Sequence, residues 1–431
     1  MKVNIMNPIT LAIHGKGVRK AIERGLNIVG RYGFNTHKMD QSLNQFTNVL
    51  HRFDCNATFP ITTVAAQRHL ELVKKYQDKG IEFAVHGLRH LDHSELDYED
   101  QEPQLEQALQ IFNKASIQVQ GFRGPYLRWN GDTLSVLQEK GFIYDSSASL
   151  TWDVIGAYDT PSYQHVLQFY GSRSATNYPS LPLLDNKIVR IPYSLPDDEA
   201  LVERLDLSPD LMKEVWLEIL NRTHRMGEIF TIGLHPERIY FCQEALEAVL
   251  AAAEKLEPAV WIARLDEIAT WWFERTQTKI EITDIDHEEF RIDVNGPEKL
   301  TILARGVEVN GPTEPWFRSY DHIQTNQFSV IAQRRPFIGL DPQASPKLAD
   351  FLRQQGYIIE YSTKRELYAY YFDQPQFVPR HKRFLLAQIE GTNFPLVRLS
   401  RWPNGAQSAI SITGDIDALS VWDYFLRLFG R

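Results

Sequence analysis

Two groups of residues could hold or use a metal ion in this chain. The strand-like run "IEFAVHG" delivers His86, and His90 follows four positions later in "HGLRH". Imidazoles four apart at the start of a helical turn lie on one face and can share one divalent ion, although a surface pair has the same spacing. At the other end of the chain, "TGDIDA" places Asp415 and Asp417 two positions apart, directly after the β-like run "AISIT". A strand that delivers two aspartates usually opens a catalytic domain, and this one closes the sequence.

Three further runs each put a polar group just past a predicted strand. They are "GFRGPY" with Arg123 and Tyr126, "YDSSASLTWD" with Asp145, Trp152 and Asp153, and "TIGLHPER" with His235. The loop "LPDDEAL" after "VRIPYS" adds Asp197 and Asp198, which suit either a helix N-terminal cap or a contact to substrate. A second D-x-D, in "ITDIDHEEF", has the alternation of the wet face of a strand and no partner motif nearby. His51, His93 and His224 read as solvated helix residues.

The elements that must position these residues alternate in kind. From residue 35 to about 275, helical periods such as "MDQSLNQFTNVLHRF" and "LMKEVWLEILNRTHRMG" lead into short apolar runs such as "CNATFPIT" and "EIFTIGL". Helix followed by strand over this length predicts an α/β fold with a parallel sheet, a barrel-like arrangement that gathers functional groups at the C-terminal ends of its strands. After Thr276 the pattern changes to apolar-polar alternation, which predicts a small β-rich domain. The division expected is 1–275 for the barrel, 276–345 for the β domain, 346–400 for a small α/β linker, and 401–431 for a terminal strand and helix completing the barrel.

Bulk composition narrows the function. Apolar residues make up 43% and charged residues 23%, as in an ordinary folded protein, and 431 residues suffice for two or three domains. A net charge of -9 without any basic block argues against nucleic acid and anionic membrane as partners. No window approaches 18 uninterrupted apolar residues, and the N-terminus lacks the pattern of a secretion signal, so the expected location is the cytoplasm. Cys55 and Cys242, the two cysteines, then read as buried thiols in a reducing compartment.

Taken together in chain order, the H-x-x-x-H pair, "RGPY", the aspartate- and tryptophan-bearing run and "GLH" resemble the polysaccharide deacetylases of the NodB-homology type, carbohydrate esterase family four. The resemblance covers residues 35 to 275 and implies a distorted (β/α) barrel, one divalent metal ion, commonly zinc, and hydrolysis of an N-acetyl or related C–N bond. It implies that His86 and His90 are metal ligands, that Arg123 orients an acidic base, and that Tyr126 lends its backbone amide to an oxyanion site. His235 would be the general acid and Trp152 would line the substrate groove. Asp198 would contact substrate as an acidic loop does in some barrel relatives, and Asp145 or Asp153 would steady His235.

The family's first motif, an aspartate pair ending the first strand, is missing from its expected place. "LNIVGRYGF" offers Arg31 and Tyr32 there, and neither can bind a cation or act as a carboxylate base. The terminal "WPNGAQSAISITGDIDAL" is similar to the D-x-D form of that motif. The reading is a circular permutation, with Asp417 the third metal ligand and Asp415 the general base. The substrate expected is a carbohydrate such as a glycan precursor, or a small amide or ureide as in relatives resembling allantoinase. A catalytically inactive glycan-binding relative is the alternative. The last strand could dock in its own chain or in a second copy, giving a homo-oligomer.

Overall fold

The structure is a computed structural model that describes residues 29–428. Its centre is one open, curled sheet of nine strands, a half-barrel with helices on its outer face. Eight of the strands are β1 (Ala57–Ile61), β2 (Glu82–Val85), β3 (Gly121–Phe122), β4 (Tyr144–Asp145), β5 (Leu183–Asp185), β6 (Ile188–Arg190), β7 (Ile229–Gly233) and β8 (Val260–Ile262). The ninth, β9 (Ser408–Thr413), comes from the end of the chain. Across the sheet the order is β7-β9-β1-β2-β3-β4-β6-β5, with β8 also on β9.

β9 is a central strand. One edge pairs in parallel with β7, from Ile229 opposite Ala409 to Gly233 opposite Thr413. Its other edge pairs first with β8, through Ser408 to Ile410, and then with β1, through Ile412 and Thr413. All six of its residues are buried, as are all five of β1 and of β7. Strands covered on both faces carry apolar or small residues at almost every position, as "SAISIT" and "IFTIG" do. β9 docks here on strands of its own chain.

The helices around the sheet follow from their patterns. Helix α1 (His37–Arg52) buries Met39, Leu43, Phe46 and Leu50, three or four apart, and ends in basic residues. Helix α2 (Pro209–Met226) starts with the Ser208 side chain on the Leu211 amide and Pro209 in the first turn, and stops at left-handed Gly227. The helices α3 (Ile239–Ala253), α4 (Leu265–Thr276) and α5 (Val421–Leu428) complete the set used below. Among the described residues no helix is long and apolar enough to cross a membrane. Cys55 and Cys242 are both buried free thiols.

Residues 29–32, where the first strand of the family pattern would fall, are helical and pack against α5, with the Tyr32 and Tyr424 rings 5.6 Å apart. β9 lies between β7 and β1. Beyond α4, the segments 276–345 and 346–400 share sheets. The strand Leu396–Leu399 runs antiparallel to Ile302–Arg305, and Arg335–Leu340 lies between Ile359–Tyr361 and Tyr368–Phe372. One apolar cluster joins Ile229, Ala409 and Trp272 of the barrel to Leu303, Ile338 and Phe351, so the base of the sheet is capped by this β-rich region.

Candidate metal centre

The site residues sit at the C-terminal ends of parallel strands. His86 directly follows β2, and after it Gly87 takes φ +74°. A Cβ there would fall 2.6 Å from the Arg89 carbonyl oxygen. The sharp bend this permits carries His90 back toward His86 through a loop, where the sequence spacing had predicted a helical turn. His86 Nδ1 donates to the Arg123 carbonyl at 2.7 Å, which leaves the lone pair on Nε2. That nitrogen lies 3.4 Å from Asp417 Oδ1, and His90 Nε2 lies 3.2 Å from the same oxygen.

Asp417 is shared between two histidines and an arginine. Its Oδ1 faces the histidines while Oδ2 pairs with Arg427 of α5. Burial alone would raise its pKa, but Arg427 and His90 more than offset that and hold the carboxyl well below its ordinary range. Burial pushes His90 down to about 4 despite Asp417, so its ring is neutral.

Asp415 is held separately. The backbone after β9 closely approaches the end of β7, since a Cβ on Gly414 would lie 1.9 Å from the Leu234 carbonyl oxygen. Arg123, fully buried, donates Nη1 to Asp415 Oδ1 at 2.8 Å and to Thr413 Oγ1 at 3.0 Å. Its Nε and Nη2 are taken by the Ser146 carbonyl and hydroxyl, and it stacks 4.6 Å over the Tyr193 ring. With every donor group bound, the guanidinium is a fixed bracket for Asp415. Asp415 Oδ2 is 3.8 Å from His86 Nε2.

At the end of β7, His235 Nδ1 lies 2.8 Å from Asp198 Oδ1, and the His235 backbone N–H donates to Asp198 Oδ2 at 3.0 Å. Burial would lower the pKa of this imidazole, but Asp198 reverses the sign and holds it well above the ordinary histidine value. Asp198 is fully buried, so it does not face substrate, and the N-terminal cap falls to Asp197, which accepts from the Ala200 amide at 2.8 Å.

Other expectations are corrected. Asp145 accepts from Ser147 and lies against Arg190, and Asp153 is exposed, so neither meets His235. Trp152 is 2% exposed within the barrel core and takes no part in the groove wall. Its β-like run turns the indole inward, which sequence alone does not reveal. Arg31 and Tyr32 both reach Glu237, at 2.5 and 3.0 Å. His93 and His224 are buried rather than solvated. Asp198 as the partner of His235, and Arg427 as the partner of Asp417, escaped the sequence reading. The position of "PDD" just past the strand Tyr193–Leu195 was the available signal for the first.

A cavity of about 310 Å³ opens over these groups and holds His86, His90, His235, Asp415 and Asp417 in its wall. Tyr126 stands at its side, edge-on to His90 with centroids 4.4 Å apart. Tyr126 and Leu127 both take positive φ, near +60°, a strain typical of ligand-facing loops.

His86, His90 and Asp417 fit a divalent ion. They offer one ligand atom each, all within 4.8 Å of one another. Both rings can present a lone pair, one fixed by its tautomer and the other neutral by burial, and two imidazoles with one carboxylate leave a coordination position open.

The polysaccharide deacetylase family model matches residues 33–144, a span that holds His86, His90, Arg123 and Tyr126. A peptidoglycan deacetylase-like protein, FGM2, of Gibberella zeae is 25% identical over 232 residues, covering 49% of this chain and 66% of that protein, just under two thirds of its length. Among solved structures, a probable polysaccharide deacetylase from Pseudomonas aeruginosa matches 54% of this chain and 72% of its own at 21% identity and a TM-score of 0.43. A second, from Mycobacterium smegmatis, matches 53% and 76% at 23% identity and a TM-score of 0.42.

Proposed function

From the premise that this chain carries a polysaccharide deacetylase domain of the NodB type, we propose that it is a metal-dependent amide hydrolase that removes an acetyl group from an amino sugar or glycan precursor. The observation that carries the reading is one cavity wall holding a two-histidine, one-aspartate donor set beside an arginine-bracketed aspartate and an aspartate-bound histidine. His86, His90 and Asp417 would hold the ion, and zinc suits their donor chemistry. When bound, such an ion supplies a Lewis acid for the acyl oxygen.

The chain's own residues do the rest. Asp415, aimed by the Arg123 hydrogen bond, accepts the proton of the attacking water. His235, kept protonated by Asp198, donates its Nε2 proton to the departing nitrogen, without which an amine is a poor leaving group. Tyr126 gives the acyl group a wall and, through its strained backbone, an amide donor. The arrangement also supports the circular permutation: the family match begins at residue 33, and the strand between β7 and β1 comes from residues 408–413.

The test is acetate release from N-acetylglucosamine oligomers together with metal content by elemental analysis. Wild type should bind about one ion per chain and release acetate. Asp417→Ala should lose both, while Asp415→Asn should keep the ion and lose roughly 10²–10⁴ in rate. Metal held equally by Asp417→Ala would sink the assignment.

A further inference from the structure

A second cavity, of about 300 Å³, lies at the opposite end of the barrel from the metal centre. Its barrel wall is Met226 to Glu228, just before β7, with Arg401, Ala406 and Gln407, just before β9. The β-rich region supplies the facing wall, chiefly Leu303, Trp316, Phe317, Arg383 and Arg398. Its size is that of a small-ligand site, and it combines an aromatic corner with fixed cations.

The charges around it do not balance. Arg275, Arg305, Arg398 and Arg401 are each buried to within 6% of full enclosure. Among the described residues one carboxylate, Glu390, serves this group: it pairs with Arg398 and, at 3.3 Å, with Arg305. Glu228, the other acid in the wall, is taken by Arg383. Arg401 reaches the Met226 carbonyl at 3.0 Å with Nη1, yet its Nε and Nη2 are buried without an acceptor. Arg275 likewise donates to the carbonyls of Ser400 and Gln354 and leaves Nε without one. Buried cations are normally paired, because desolvation is costly and hydrogen bonds to carbonyls do not cancel the charge.

We propose that this cavity binds a small organic oxyanion, a phosphate monoester or a carboxylate on an apolar ring, with the anion on Arg401 and the ring against Trp316 and Phe317. Guanidinium groups match such anions in shape as well as charge. The pair Trp316 and Phe317 in "TEPWFRSYDH" has no part in the metal centre, and the cavity gives it one. A ligand here would also join the β-rich region to the start of the strand whose far end carries Asp415 and Asp417.

Titration calorimetry on the full chain tests this with phenyl phosphate, benzoate, inorganic phosphate and neutral phenol. One of the aromatic anions should bind saturably and at least about tenfold more tightly than inorganic phosphate, with no heat from phenol. A preference for phenyl phosphate identifies a phosphorylated ligand, and a preference for benzoate a carboxylate. Arg401→Gln should weaken binding about tenfold or more. Ala387→Trp fills the exposed side of the cavity without removing an arginine and should abolish binding, which decides the matter if Arg401→Gln does not fold. Absence of saturable anion binding, equal binding of phenol, or wild-type affinity in Ala387→Trp overturns the proposal. None of these readouts depends on acetate release, so this site and the deacetylase reading fail separately.

Discussion

Replacing Asp198 with asparagine isolates the proton donor of the proposed reaction. The two oxygens of Asp198 receive two donors, His235 Nδ1 at 2.8 Å and the His235 backbone nitrogen at 3.0 Å. Asparagine keeps the shape but has one acceptor oxygen. The backbone N–H cannot reverse its polarity, so it keeps that oxygen, and the amide NH₂ turns toward Nδ1. The imidazole must then accept at Nδ1, which makes it neutral with its hydrogen on Nε2, the wrong form for a general acid. The carboxylate charge that did most to raise the His235 pKa is gone as well, and burial, which lowers it, is opposed only by the smaller effects of Glu237 and Asp415. General acid catalysis contributes about 10²–10⁴, so kcat/KM on an N-acetylated sugar should fall by that factor. An aryl acetate, whose phenolate leaves without a proton, should lose less than about tenfold.

The pH dependence has a definite sign. A raised folded pKa keeps His235 charged below that pKa, so wild-type amide hydrolysis persists into alkaline solution and fails as pH rises through it. In Asp198→Asn the falling limb moves to lower pH. The assay is kcat/KM against pH on both substrates, with circular dichroism as the check on folding. Equal losses on amide and aryl ester, or amide hydrolysis within about threefold of wild type, would refute the assignment of His235 as acid.

Two further outcomes follow from the fold. Deleting residues 401–431 removes β9 and leaves β7 and β1 with open edges inside the sheet, together with the loss of Ile410 and Ile412, both fully buried. Each such side chain is worth about 2–5 kcal/mol against a typical total of 5–15, so the truncated chain should show no cooperative thermal transition; a truncated chain that melts cooperatively would refute the central placement of β9. Glu390 titrates at the other end of the molecule: burial would raise its pKa, but Arg398, Arg401, the Tyr357 hydroxyl and Arg305 hold it down to about 2. A lowered folded pKa means stability present above the ordinary glutamate value and lost as pH falls toward 2, amounting to about 2 kcal/mol by about pH 3. Urea unfolding at neutral and acid pH should show that slope in wild type, and Glu390→Gln should flatten it; an unchanged slope would place the acid sensitivity elsewhere.

The sequence by itself determined the class of the scaffold and which side-chain types gather at one of its ends. Histidine and aspartate side chains, an arginine and a late histidine each follow a short apolar run, and in a parallel sheet those positions converge at one end whatever the connections between them. The alternation of helix and strand periods over residues 35–275 is a local property, written in each segment, and it was legible for that reason. So was the incongruity of a D-x-D strand at the end of the chain. What only the tertiary structure decided concerns partners distant in sequence. Asp198 is 37 positions from His235 and fully buried, whereas Asp145 and Asp153 had equal claims on paper. Trp152, just past the strand Ser149–Thr151, could have faced either side on paper, and a shift of one residue would have exchanged core for groove. The union of segments 276–345 and 346–400 through shared sheets, and the pairing of Arg305 with Glu390, depend on strand pairings across some 90 residues that no local pattern encodes. Local periodicity specifies elements and side-chain chemistry; the pairing of charges and the choice of face are settled by packing, because only the assembled interior excludes water and makes an unpaired charge costly.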